Sequence, residues 1–309
     1  MSAEARAVAD PLAPWRHRLR HLDDVEAPVV VACSGGPDSL ALLAFAVDAG
    51  LAPVAVHVDH GVRPGSEREA DVVAAAATRL GAGFRPERVE VGAGANLEAR
   101  ARAARYDALE RARAAEGATA VLVGHTADDQ AETVLLNLLR GSGTAGLGGM
   151  PGRRDRLARP LLGLRRAETE DVCTRLGLVP VRDPMNDDVS YRRVWLRREV
   201  LPALERGAGR DVVDLLARQA DVVRAESDLL DELARAAWPS AGQPLARDLA
   251  ALPVALARRA VRCWLGPPPP ELAAVERVLA VARREARATE VDGHRRVLRT
   301  GGELRIERG

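Results

Sequence analysis

The 309-residue chain contains no lysine: all 45 basic residues are arginine, and isoleucine occurs once, at Ile306. With alanine, valine and leucine abundant, this resembles the coding bias of a GC-rich genome. It has a chemical consequence, because every cationic contact to a phosphate must come from a planar, permanently charged guanidinium. Cysteine is scarce too. Cys33, Cys173 and Cys263 are scattered, odd in number and free of any C-x-x-C pair. That argues against a disulfide framework or a structural zinc site and fits a reducing compartment. No stretch approaches the roughly 18 uninterrupted apolar residues of a membrane span. The opening "MSAEARAVADPLAPWRHRLRHLDD" is charged throughout and lacks the apolar core of a signal peptide. A cytoplasmic protein with no membrane association is expected.

What is present describes a globular chain. Apolar residues make up 47% and charged residues 29%, which excludes a disordered polymer. The length suffices for one large domain and a smaller one. Net charge is only +1, yet residues 141–210 hold 14 Arg against 9 acidic residues. Such a local surplus favours a polyanion, although a solvated face with partly paired charges would look the same.

Short apolar runs alternate with helical patterns. Strands are expected at 27–33, 54–58, 84–91, 120–124 and 178–182, and helices at 38–48, 66–80, 96–116, 128–140 and 166–176. This alternation predicts an α/β fold, a parallel sheet with helices on both faces. Ligands of such sheets bind outside the carboxyl ends of the strands. Three polar clusters fall there: Ser34–Ser39, His57–Arg63 and His125–Asp129. Beyond about 207 the pattern becomes helical, with helices expected at 211–237, 248–264 and 271–287. A terminal hairpin turns at Thr300-Gly301-Gly302. The predicted division is a catalytic domain over 1–212 and a smaller, mainly helical domain over 213–309. Six glycines in 141–152 mark either a mobile loop over the site or a long connection.

In "VVVACSGGPDSL" (29–40), a buried strand runs into a glycine turn and then a helix. Backbone N–H groups in such a turn bind anions without a cationic side chain. Gly35 and Gly36 allow close approach, and Pro37 loses an N–H that the first helical turn would leave orphaned. Ser34 and Ser39 add hydroxyls. Asp38 cannot pair with a phosphate; it suits a helix cap or a ligand for Mg²⁺ bridging phosphates. In "NLEARARAARYDAL" (96–109), Glu98, Arg102 and Arg105 form one stripe of a helix, equally readable as solvated ion pairs. In "GHTADDQAET" (124–133), Asp128 and Glu132 share a face beside Asp129. These acids favour the helix dipole, and next to a phosphate site they fit a cation or a nucleobase edge.

"SGGPDS" resembles the signature of the N-type ATP pyrophosphatases, the PP-loop superfamily with its adenine nucleotide alpha-hydrolase-like fold. Its members adenylate an oxygen and release pyrophosphate. The ordered series "SGGPDS", "HVDHGVR", "NLEARARAARY", "GHTADDQAET", "RGSGTAGLGGM", "RPLL", "RDPMNDD" and "YRR…LR" is similar to the bacterial tRNA(Ile)-lysidine synthetase family over most of residues 27–205. Departures are Thr126, where a second histidine is usual, Met185 for serine, and Val194 and Trp195 in place of a polar pair.

The resemblance implies an enzyme that uses ATP and Mg²⁺. It would adenylate the C2 oxygen of the first anticodon cytidine in an isoleucine tRNA with a CAU anticodon. Free L-lysine would then displace AMP to form lysidine. It further implies that Ser34, Gly35, Gly36, Pro37, Asp38 and Ser39 hold the ATP phosphates, with Mg²⁺ through Asp38, and that His57, Asp59 and Arg63 lie near the nucleotide. Glu98, Arg105, Asp128, Asp129 and Glu132 would form the lysine and cytidine pocket, with Asp38, Arg102 and Asp129 acting in catalysis; one of the carboxylates would take the proton that lysine must lose, a choice the residues leave open with Asp129 preferred. Arg153, Arg154, Arg156, Arg159, Arg193 and Arg197 would contact tRNA, the C-terminal domain would bind it as well, and a homodimer is an assembly this reading allows. The rivals are a tRNA cytidine thiolase of the same superfamily, which needs paired cysteines, a non-catalytic RNA-binding relative, and a metallohydrolase built on His57, Asp59, His60 and His125.

Overall fold

The computed structural model describes residues 10–59, 67–90, 97–181, 189, 191–238, 244–267 and 270–308. His60, Arg63 and the 182–188 stretch with Met185 lie outside the described residues, as does the side chain of Glu98. The chain divides into two compact units, Met1–Asp221 and Val222–Gly309.

The first unit opens with α1 (Ala13–Arg16) and then alternates: β1 (Val29–Ala32), α2 (Pro37–Asp48), β2 (Pro53–Asp59), α3 (Glu67–Leu80), β3 (Gly83–Arg88), α4 (Leu97–Ala115), β4 (Ala120–Val123) and α5 (Ala127–Leu139). The short α6 (Thr144–Leu147) precedes the two-residue strands β5 (Arg153–Arg154) and β6 (Leu157–Ala158), and α7 (Arg166–Leu176) follows. The sheet order is β3-β2-β1-β4-β6-β5. Every pairing is parallel except β5 with β6.

β1 is buried along its whole length because both of its faces are covered. Val29 and Val31 join the apolar cluster of Leu43 and Phe45 from α2, Val73 from α3 and Val172 from α7. Val30 and Ala32 point the other way, into a cluster with Leu109 and Ala112 of α4. The period-2 alternation of a strand thus seats helices on both faces, as the βαβ pattern predicted.

Two expectations fail locally. Residues 178–181 form no strand: the place beside β4 is taken by β6. Val181 makes instead one backbone bond to the Gly35 carbonyl, at 2.9 Å. Strands β5 and β6 were missed because two residues carry no alternation to read.

The helical run α8 (Arg192–Trp195), a π-helical turn (Leu196–Val200) and α9 (Leu201–Ala208) leads to α10 (Val212–Ala237), inside which the division between units falls. The second unit continues with α11 (Ala246–Ala251), α12 (Val254–Leu265), α13 (Leu272–Ala282) and a three-stranded antiparallel sheet, β7 (Ala288–Glu290), β8 (Arg295–Thr300) and β9 (Glu303–Arg308). The single helix expected at 248–264 is broken, since Pro253 forces Leu252 out of the helical region, to ψ 150°. Gly301 and Gly302, at φ +60° and +90°, make the two-residue hairpin turn.

Candidate active site

The glycine turn stands at the carboxyl end of β1. Gly35 adopts φ +84°, which favours glycine, and Gly36 is the N-cap of α2 with Pro37 in its first turn. Ser39 Oγ donates to the Gly36 carbonyl at 2.9 Å, closing the turn on itself. At the end of β4, a Cβ on Gly124 would lie 2.9 Å from the Asp38 carbonyl oxygen. Only glycine lets the end of β4 approach the first turn of α2 so closely, and this approach brings Asp38 and Asp129 into one site.

A cleft of about 880 Å³ opens over these ends. Ser34, Gly36, Pro37, Asp38 and Ser39 line it from the turn, and His57 from β2. Arg102 and Arg105 line it from α4, Asp129 from α5, and Arg197 from the π-helical turn. Three of the expected clusters therefore converge. Asp59 ends β2, two residues beyond His57.

At the base of the cleft one arginine meets several acids. Arg166, the first residue of α7, donates through Nη2 to Asp129 Oδ1 at 3.0 Å and through Nε to Asp38 Oδ2 at 3.5 Å. Its Nη1 stands 3.8 Å from Glu132 Oε1. Burial works against the Arg166 charge, but Asp129, Asp38 and Glu132 outweigh it and raise its pKa. Asp38 also accepts from the Thr169 hydroxyl. Even so, burial pushes the Asp38 carboxyl up to about 6, against the opposing pull of Arg166 and Thr169.

Asp129 sits deeper in partners. Its Oδ2 accepts from the Thr126 N–H at 2.9 Å and the Thr126 hydroxyl at 3.0 Å, a capping arrangement for α5. Burial favours its neutral form, but Arg166, His125 and Thr126 reverse this and hold its pKa low. Glu132 is fully buried. It accepts from Arg197 Nε at 2.8 Å, while its Oε2 has no hydrogen-bond partner. Burial dominates there and raises its pKa. Asp128 turns elsewhere: it accepts the Arg166 N–H at 2.8 Å, capping α7, and pairs with Arg165. Its part is to tie α5 to α7.

Two imidazoles complete the walls. His57 is 3% exposed, and its Nδ1 donates to the Cys33 carbonyl at 3.0 Å. Its Nε2 is buried without a partner. His125 lines the cleft with an unpartnered Nδ1, and burial lowers its pKa to about 4. Burial likewise lowers the pKa of Arg105. Arg102 bonds the Tyr106 hydroxyl at 3.1 Å.

The arginines expected at tRNA separate into groups. Arg153, Arg154 and Arg156 are exposed. Arg159 is 7% exposed and donates to the Pro151 carbonyl at 2.8 Å, out of reach of a surface phosphate. Arg193 is exposed, with Nη1 3.8 Å from Glu132 Oε2. The glycine-rich 141–152 segment is tied down: Met150 N–H donates to Gln130 Oε1 at 2.7 Å, and Asn137 Nδ2 to the Gly146 carbonyl at 2.8 Å. Sequence reasoning missed Arg166, Thr169, Thr126 and Gln130. The one available signal was "RRAET" opening a helix, which places a cation where anionic groups are favoured. Among the described residues, no group of three or more His, Cys, Asp and Glu side chains is gathered to hold a metal ion.

Residues 12–204 match the family described as PP-loop domain. In fold the chain is similar to the U34-tRNA thiolase of Methanococcus maripaludis, solved with its iron–sulfur cluster. The TM-score is 0.55 at 18% identity, covering 71% of this chain and 78% of that one. Fold and site thus define an ATP-using protein of the PP-loop class. Closer relatives narrow it. The tRNA(Ile)-lysidine synthase of Nocardia farcinica is 48% identical, covering 81% of this chain and 80% of that protein. That of Salinispora tropica is 45% identical, covering 96% and 97%, and that of Mycobacterium tuberculosis is 46% identical, covering 85% and 80%. The chain belongs to the tRNA(Ile)-lysidine synthase family and is an ATP-dependent ligase of tRNA modification. No helix among the described residues is long and apolar enough to cross a membrane.

Proposed function

We propose that this chain joins free L-lysine to C2 of the first anticodon cytidine of a CAU-bearing isoleucine tRNA, in the cytoplasm. The observation that carries the proposal is the gathering of Asp38, Asp129 and Glu132 around Arg166, beside a glycine turn and a cleft walled by Arg102 and Arg105. The turn at Ser34–Ser39 would cradle the ATP phosphates through backbone N–H groups and hydroxyls, with His57 near the nucleotide. Asp38 fits a hard cation: it is an oxygen donor whose burial leaves its own charge poorly compensated. Mg²⁺ held there through the phosphates would neutralise charge on the pyrophosphate.

The cytidine C2 oxygen attacks the α-phosphorus and pyrophosphate leaves. The lysine Nζ then attacks C2, and AMP departs. The arginines contribute positioning and charge stabilisation. Asp129, held ionised by Arg166 and Thr126, suits the substrate ammonium better as counter-ion than as base. Glu98 and Arg105 remain candidates for the same pocket. Exposed Arg153, Arg154 and Arg156 would contact tRNA backbone together with the helical domain over 213–309.

The test is incorporation of labelled lysine into an isoleucine tRNA transcript, with ATP–pyrophosphate exchange in parallel. Incorporation should need the first anticodon cytidine. If it survives a change of that cytidine to uridine, the reading is wrong.

A further inference from the structure

The chain has eight aromatic residues, made up of four Trp, two Tyr and two Phe. Two of them, Tyr191 at 45% and Trp195 at 41%, are exposed; the rest are buried or half-buried. Keeping large rings in water costs burial energy, so two in five residues call for a reason. The buried neighbours Val194 and Leu196 anchor this segment in the first unit, leaving the Trp195 ring to project outward. Four arginines share the segment, at 192, 193, 197 and 198. Arg197 and Arg198, two and three residues beyond Trp195, also line the active cleft, so this segment reaches its rim. The π-helical turn Leu196–Val200 follows directly, a distortion frequent at functional sites. Arg197 turns inward to Glu132 at 2.8 Å, while Trp195, two residues before it and so on the opposite helix face, is exposed.

Aromatic faces interleaved with guanidinium groups are the means by which proteins hold unpaired bases. A cleft of about 880 Å³ admits a nucleotide and one target base, so the adjacent bases of the strand stay outside at the rim. We infer that Trp195, assisted by Tyr191, is a stacking platform for an unpaired RNA base next to the one that enters the cleft, with the exposed arginines taking its phosphates. This rests on the tRNA substrate proposed above. It assigns Trp195 a specificity role: the ring selects a single-stranded neighbour and rejects a paired one.

The test uses the full chain and an anticodon stem–loop RNA with a CAU loop, followed by tryptophan emission and by binding affinity. Emission of the unaltered protein should be quenched by the RNA. Trp195→Phe should keep the affinity and lose the quench. Trp195→Ala should weaken binding about 5- to 150-fold, the range that stacking one base supplies, and Tyr191→Ala should act in the same direction less strongly. Affinity of folded Trp195→Ala equal to that of the unaltered protein overturns the inference. So does a change in its sedimentation without a change in RNA affinity, which would assign the ring to a protein interface. The two readings fail separately. Absent lysine incorporation by the unaltered protein defeats the function, whereas normal incorporation with an indifferent Trp195 defeats only the platform.

Discussion

The two units bury polar side chains in different ways. In the second, the buried polar residues among those described, Ser227 and Arg259, answer each other: Arg259 Nη2 donates to Ser227 Oγ at 3.0 Å, and its Nε meets Asp231 Oδ1 at 3.1 Å, while the Nε of half-buried Arg262 has no hydrogen bond. In the first, Arg113 is matched in the same way by Glu110 and the Ala118 carbonyl, but around the open cleft several buried atoms stay unmatched, among them His57 Nε2, His125 Nδ1 and Glu132 Oε2. A closed network stabilises a fold. Buried atoms left unmatched at the wall of a cleft cost stability, and they are retained where a ligand supplies the missing partner.

The sharpest test of this contrast removes the central cation of each network. Arg166→Met should lower ATP–pyrophosphate exchange about 100- to 1,000-fold, the loss typical of a removed charge-stabilising group. Arg259→Met should leave exchange unchanged and lower only the urea midpoint. Equal losses of exchange would erase the distinction between the units.

A second test weighs burial against charge. Glu132→Ala strips the fully buried carboxylate from Arg197 and should cost about 3–5 kcal/mol in urea unfolding. If the cost is near zero, Glu132 is not the anchor of the 193–197 arginines.

A third concerns pH. Asp38 is protonated below about 6; with the proposed role of this carboxylate at a metal–phosphate unit, exchange should fall as pH drops through about 6. Thr169→Val removes a hydrogen bond that favours the carboxylate. The acid limb should then move up by about one pH unit. A limb that stays in place would show that Asp38 does not set it.

The smallest expected effect is at the surface. Each single change Arg153→Ala, Arg154→Ala or Arg156→Ala should weaken tRNA binding modestly and reduce its logarithmic salt slope by about one. Arg159→Ala should leave the slope unchanged, because that guanidinium is turned inward.

The alternation of β-branched runs with helices, the turn at Ser34–Ser39 and the hairpin at Gly301–Gly302 were legible because each depends on neighbouring residues. Arg166 was not. It stands 128 positions from Asp38, in a helix start that reads like many others, and its role exists only where α7 packs against α2. Asp128 and Asp129 show the same limit: adjacent and alike in sequence, they part because one caps α7 while the other faces the cleft.

By itself, then, the sequence determined the α/β class, the glycine turn and the strand ends at which a site would form, since local periodicity and turn chemistry are properties of contiguous residues. Only the tertiary structure decided which acids share a counter-ion, which arginines are buried and which rings face water. Those outcomes depend on distances between elements far apart in the chain, and on the loss of solvent that makes a buried charge costly and an exposed ring conspicuous.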